Sequence, residues 1–256
     1  MKIFSFVFIF FSFLAKACLA TEVPMSGNKP ISHELWDNLL KKHVDNQGFV
    51  DYGGFKKDIS ILKSYLNLIQ NNAPNEQWTK DEQLAFWINA YNAFTIQLIL
   101  DYSSHSLKSI KDIGDKIKIP LINSPWDIKF ITISGKKIDL NTIEHGIIRK
   151  NFDEPRIHFA LVCAAKSCPK LRNEAFVPNK LSRQLEEQAI DFINDSNKNK
   201  INGNELKLSS IFNWYAGDFE DKMPIYQWIN KYAKVKTNHP KKISYLDYNW
   251  ELNGKF

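Results

Sequence analysis

The chain has 256 residues, with 34 Lys and Arg against 28 Asp and Glu, giving a formal net charge of +6. Its lysines are scattered along the chain and its arginines are only four, Arg149, Arg156, Arg172 and Arg183, which argues against the clustered basic stripe with bidentate Arg contacts that nucleic-acid binding uses. The composition, 44% hydrophobic and 24% charged, supports a substantial folded core, and the excess of Lys reads as solubility or loose attraction to an acidic envelope surface.

Lys2, the apolar run from Ile3 to Leu14 and the small-residue ending at Ala20 have the pattern of a cleavable signal peptide over residues 1–20. The run is shorter than the about 20 apolar residues of a membrane-crossing helix, and Lys16 closes it. Export to the periplasm or the exterior is therefore expected, with no stable membrane insertion after cleavage. An uncleaved anchor and acylation of Cys18 are the alternatives. Loss of Lys2 and Lys16 lowers the charge from +6 to +4. A flexible leader over 21–30, carrying Pro24, Gly27 and Pro30, then precedes one globular domain over 31–256.

Apolar residues at helical spacing predict helices over 33–44 and 58–71, separated by turns at Gly48 and Gly53-Gly54. Thr79 and Glu82 form a capping box, and Leu84 to Leu100 is apolar almost all round, as in a helix enclosed on several sides. A hairpin is expected over 127–138, turning at Ser134-Gly135, then a helix over 141–150 entered through Asn141 and Glu144. The branched and aromatic run 156–163 reads as a central strand. A helix over 180–194, a hairpin over 199–208 turning on Asn202-Gly203, a helix from Ser209, another opened by Pro224 and a strand near 243–248 complete the chain. Interleaved helices and hairpins give an α+β class, helix-rich on a small mixed or antiparallel sheet.

Asn89 and Asn92 stand three apart on the apolar helix and share a face. Buried amides must find partners, so they either tie loop backbone to the core or serve a site as orienter or oxyanion donor. His145 and Arg149 share a helix face beside Glu144, which is available for capping, and the Arg could bind an anion or depress the imidazole. In a straight strand His158 and Cys163 face opposite sides, so a partner for Cys163 would be His145 unless a bulge reset the register. After cleavage Cys163 and Cys168 are the remaining cysteines. They form either a disulfide, suited to an oxidising compartment, or a reactive thiol in the loop beside Lys166. The many aromatic residues are core material, or a stacking surface for glycan where exposed.

Three segments together resemble the family called domain of unknown function 547. They are FWINAYNAFTI at 86–96, IEHGIIR at 143–149 with RIHFALVCAAKSCPKL at 156–171, and LSSIFNWYAGDF at 208–219. The closing YLDYNWELN is similar to the ending of exported bacterial-type members. The resemblance supplies no reaction. It implies that Asn89, Asn92, Glu144, His145, Arg149, Arg156, His158 and Cys163 matter, with Cys168 beside them.

Three functional readings follow. One is a cysteine-dependent hydrolase or acyl transferase with Cys168 or Cys163 as nucleophile, His145 or His158 as base and Asn92 as orienter, with Asn89, Glu144, Arg149 and Arg156 binding ligand. The second is a non-catalytic envelope module with a Cys163–Cys168 disulfide and a buried polar network. The third is a metal-dependent hydrolase using His145, His158 and Glu144, although no tight metal-binding spacing is present. The first two need no cofactor, and the ligand would be a small molecule, peptide or glycan.

Overall fold

In the computed structural model, residues 29–115 and 123–256 are described. The expected signal peptide and most of the expected leader lie outside them. The first helix, α1 (Glu34–His43), has Glu34 and Asp37 in its first turn and Lys41, Lys42 and His43 in its last, as the helix dipole favours. It buries Trp36, Leu39 and Leu40. The two-residue strand β1 (Val50–Asp51) leads into α2 (Tyr52–Lys57). The expected Gly53-Gly54 turn is thus part of a helix. Asp51 makes this possible by accepting a hydrogen bond from Gly54 N at 2.9 Å, which offsets the poor helix preference of glycine.

Next comes α3 (Ile59–Asn71), which buries Leu62, Tyr65, Leu66 and Ile69, a single stripe facing α1. Tyr65 stacks on Trp36 with ring centroids 5.9 Å apart. The central element is α4 (Lys80–Asp101), opened by the Thr79–Glu82 capping box and buried without interruption from Leu84 to Leu100. The short α5 (Asp112–Asp115) follows. Strands β2 (Ile131–Ile133) and β3 (Lys136–Ile138) form the expected antiparallel hairpin, with Ser134 and Gly135 both at positive φ in its turn.

A helix is present at 142–151, but it is wider than an α-helix from Thr142 to Ile148 before it tightens into α6 (Arg149–Asn151). Arg149 N reaches back five residues to Glu144 O, the mark of a π-helical turn. Its entry is capped by Asp139, which accepts from Thr142 N and Oγ1 at 2.7 Å, and not by Asn141 and Glu144.

The expected central strand over 156–163 does not exist. Pro155–Phe159 form a 3₁₀ turn and the chain then runs on irregularly. The residues are buried as expected, but side-chain amides replace a neighbouring strand as backbone partners. Asn92 Nδ2 donates to Ala160 O at 2.9 Å, Val162 N donates to Asn92 Oδ1 at 2.9 Å, and Gln188 Nε2 donates to Phe159 O at 2.8 Å. A buried apolar run needs its polar backbone satisfied, and any fixed donor or acceptor can do it.

Beyond this segment lie α7 (Leu181–Asn194), β4 (Lys200–Ile201) and β5 (Glu205–Ser209), the last two antiparallel around Asn202-Gly203. Three short helices follow, α8 (Ile211–Trp214), α9 (Ala216–Glu220) and α10 (Ile225–Asn230). Strand β6 (Lys242–Leu246) pairs parallel with β5, and β7 (Gly254–Lys255) pairs parallel with β1. The class is α+β, with small separate sheets rather than one platform.

Buried side chains gather in two clusters. One surrounds α1 to α4, and the other joins Phe159, Phe192, Phe212, Phe219 and Trp228. Residues 155–163 cross from one to the other. Among the described residues no helix is long and apolar enough to cross a membrane.

The stretch 249–255 is a strap laid over the cysteine loop. Lys166 N donates to Glu251 O at 2.8 Å, Ser167 N to Asn249 O at 3.1 Å and Asn253 N to Ala164 O at 3.2 Å. Its far end reaches β1, where Val50 N donates to Asn253 O at 3.0 Å and Tyr52 Oη to Asn253 Oδ1 at 2.7 Å. Glycine is required at 254 because a Cβ there would lie 2.1 Å from Val50 O.

Candidate functional site

Where the two clusters meet, a surface cleft of about 220 Å³ is lined by Glu144, His145, His158, Cys163, Cys168 and a set of aromatic rings. Each lining group arrives by a different route. The π-helical turn supplies Glu144 and His145, the amide-held segment supplies His158 and Cys163, and α8 with the residue after it supplies Trp214 and Tyr215. The strap and the residues before it bring Tyr248 and Trp250, and α4 contributes Tyr91.

His158 is buried, at 4% exposure, with its ring 3.8 Å from that of Tyr215 and nearly parallel to it. Its Nε2 lies 2.7 Å from Asp218 Oδ2. Arg149 grips the same carboxylate with two bonds, Nε to Oδ2 at 2.6 Å and Nη2 to Oδ1 at 2.7 Å. Burial alone would raise the Asp218 carboxyl, but hydrogen bonds from His158 and Arg149 outweigh it and hold the group well below the usual carboxylate range. An ionised carboxylate only accepts, so Nε2 of His158 carries the proton. Burial pushes the imidazole down, partly offset by Asp218, and favours its neutral form. Nδ1 is then the basic nitrogen.

Glu144 is buried and accepts from Tyr215 Oη at 2.6 Å. Burial, followed by the nearby Glu144, raises Tyr215 and Tyr248 above the usual phenol range, so both act as neutral hydroxyls. Tyr248 Oη is 3.2 Å from Cys163 Sγ. Cys163 and Cys168 are at disulfide distance, and Cys163 N donates to Cys168 Sγ. Ala164, next to Cys163, holds a positive φ of 59°. For a residue with a Cβ this is a strained conformation of the kind found at functional sites, and the strap maintains it through Asn253 N.

Residues 75–193 match the family model described as "Protein of unknown function, DUF547". Residues 75–193 of the chain belong to this family. The matched span contains Glu144, His145, His158 and both cysteines, whereas Trp214, Tyr215, Asp218, Tyr248 and Trp250 lie beyond it. No curated protein and no solved structure matches the chain.

The expected site residues divide into those that reach the cleft and those that do not. Glu144, His145, His158, Cys163 and Cys168 meet there, so the expectation that His158 and Cys163 face apart falls with the strand that required it. Asn92 is spent on the backbone at 160 and 162, and Asn89 on Phe176, whose O and N it binds at 2.8 and 3.0 Å. Neither lines the cleft. Arg149 stands behind His158, with Nη1 3.1 Å from His145 Nδ1. Arg156 turns away to Glu154 and Ser182 O. Cys168 is only 3% exposed, and Lys166 pairs with Glu251 rather than with a sulfur. It is Lys198 that reaches the loop, donating to Cys168 O.

The Glu144, His145 and His158 set does not converge as metal ligands. No group of three His, Cys, Asp or Glu among the described residues is arranged to hold a metal ion, and each member already has a protein partner. Sequence reasoning missed Asp218. The available signal was that it is the sole acid in LSSIFNWYAGDF at 208–219.

Proposed function

We propose that this protein is an exported, thiol-dependent hydrolase or acyl transferase whose nucleophile is Cys163 and whose resting form is the Cys163–Cys168 disulfide. The observation that carries the reading is an imidazole oriented by a clamped carboxylate in the same cleft as a cysteine sulfur. Export is supported by the basic and apolar pattern of residues 1–20.

A dithiol of the thiol–disulfide exchange class opens the bridge, leaving two protein thiols and an oxidised donor. His158 Nδ1 then takes the Cys163 proton. The thiolate adds to an acyl carbonyl, His158 returns the proton to the leaving group, and water or a second acceptor releases the acyl group from the thioester. Asp218 and Arg149 keep the ring in one tautomer, while Asn92 fixes the backbone between the two reacting residues. Asn92 is in this sense a positioning residue.

Native protein reduced with dithiothreitol and pulsed with iodoacetamide tests this. Cys163 should label faster than Cys168, with a rate whose pH midpoint moves upward in Asp218→Asn. Equal labelling of both, or a pH profile untouched by Asp218→Asn, would overturn the proposal. The burial of Cys168 beneath the strap favours a second reading, a binding module with a permanent bridge. In that case intact mass would show the bridge surviving native reduction.

A further inference from the structure

We infer that the cleft recognises a saccharide, one ring of which stacks on the open face of Trp214. Trp214 is 48% exposed, an unusual position for an indole that also lines a cleft. It is not loosely held. Trp250 stacks against it at 5.8 Å and 24°, Tyr248 packs at 4.8 Å, and Trp250 is itself fixed by Trp126 at 5.8 Å and by Lys111 Nζ at 4.3 Å. The result is an aromatic shelf in which Trp250 and Tyr248 pack against Trp214 and about half of the Trp214 surface stays accessible to water.

Polar groups stand in the same hollow. Asn141, Glu144 and His145 share it with the shelf, and Asn141 is oriented by its Nδ2 bond to Asp127 Oδ1 at 2.6 Å. A flat apolar face combined with a few hydrogen-bonding groups complements a pyranose, which has a C–H face and a hydroxyl rim. At about 220 Å³ the hollow is smaller than the range of roughly 300–1,000 Å³ common for drug-sized ligands, so it takes one ring and leaves the rest of an oligomer outside. The stacked Trp214–Trp250 pair leaves no gap between its rings for a cation to be sandwiched. This deepens the acyl-transfer reading, since the attacked carbonyl would be an ester or amide carried on a sugar, but the binding itself requires no free thiol.

Binding to the bridged protein therefore separates the two claims. The N-acetylglucosamine trimer, cellotriose and maltotriose are titrated into oxidised protein, with saturation-transfer NMR and tryptophan emission as readouts. At least one should bind saturably, with transfer strongest on the ring C–H protons of a single unit. Trp214→Ala should weaken that affinity about tenfold and Trp214→Phe should retain part of it. Failure of all three sugars to bind, or affinity unchanged in Trp214→Ala, would overturn the saccharide assignment while leaving the thiol-labelling result to stand or fall separately.

Discussion

Asp218 serves two masters, His158 and Arg149, and a single substitution exposes both. Asp218→Asn leaves Arg149 with a neutral amide and should lower stability by about 1–3 kcal/mol in urea denaturation. The histidines set the acid limit. His33, whose Nδ1 is 2.7 Å from Tyr65 Oη, is lowered by burial to about 4, and His158 is lowered in the same direction. A histidine depressed in the folded state is protonated first in the unfolded chain. Stability is therefore full above the unfolded value of about 6.5 and falls as pH drops toward the folded one. Asp218 adds a loss only at still lower pH, because its carboxyl must be protonated from a depressed starting point. The urea midpoint should decline between pH 6.5 and 4, and His33→Asn should flatten that decline, by no more than about 3 kcal/mol. An unchanged slope in the variant would remove His33 from the explanation.

Among the elements, α4 and the segment after Pro155 behave as peg and socket. Asn92→Ala removes both backbone bonds at 160 and 162 from a buried site and should cost about 2–4 kcal/mol, with faster amide exchange at Val162. Thr79→Ala, at the far end of the same helix, should cost about 1 kcal/mol and leave Val162 protected. The contrast explains what the sequence could reveal. The start of α4 was legible because a capping box is local, spanning residues 79 to 82. So was the 131–138 hairpin, whose turn chemistry sits between its strands. Residues 156–163 were misread because their partners, Asn92 and Gln188, come from helices far away in the chain, and apolar content alone cannot distinguish a strand from buried irregular backbone. The cysteine and histidine members of the cleft were visible by residue type. Asp218 was not, and the aromatic wall could be read either as core or as a stacking surface, since a lone acid and core-like aromatics acquire meaning only from what stands beside them.

Across the whole molecule, stability of the cysteine loop depends on the strap and on the bridge. Opening the bridge releases a six-residue loop and should cost roughly 2 kcal/mol, read as a lower thermal midpoint after reduction. Gly254→Ala should be more harmful than that, because the added methyl has no room against Val50 O and would pry β7 from β1. In that variant Cys168 should become as reactive as Cys163. The strap also imposes an order of events on a growing chain. Asn249 fastens to Ser167, 82 positions earlier, and Asn253 to Tyr52, 201 positions earlier. Such distant partners meet late. Residues 249–253 therefore close over the cysteine loop only after the rest of the chain is in place, which makes the covering of Cys168 one of the last contacts to form.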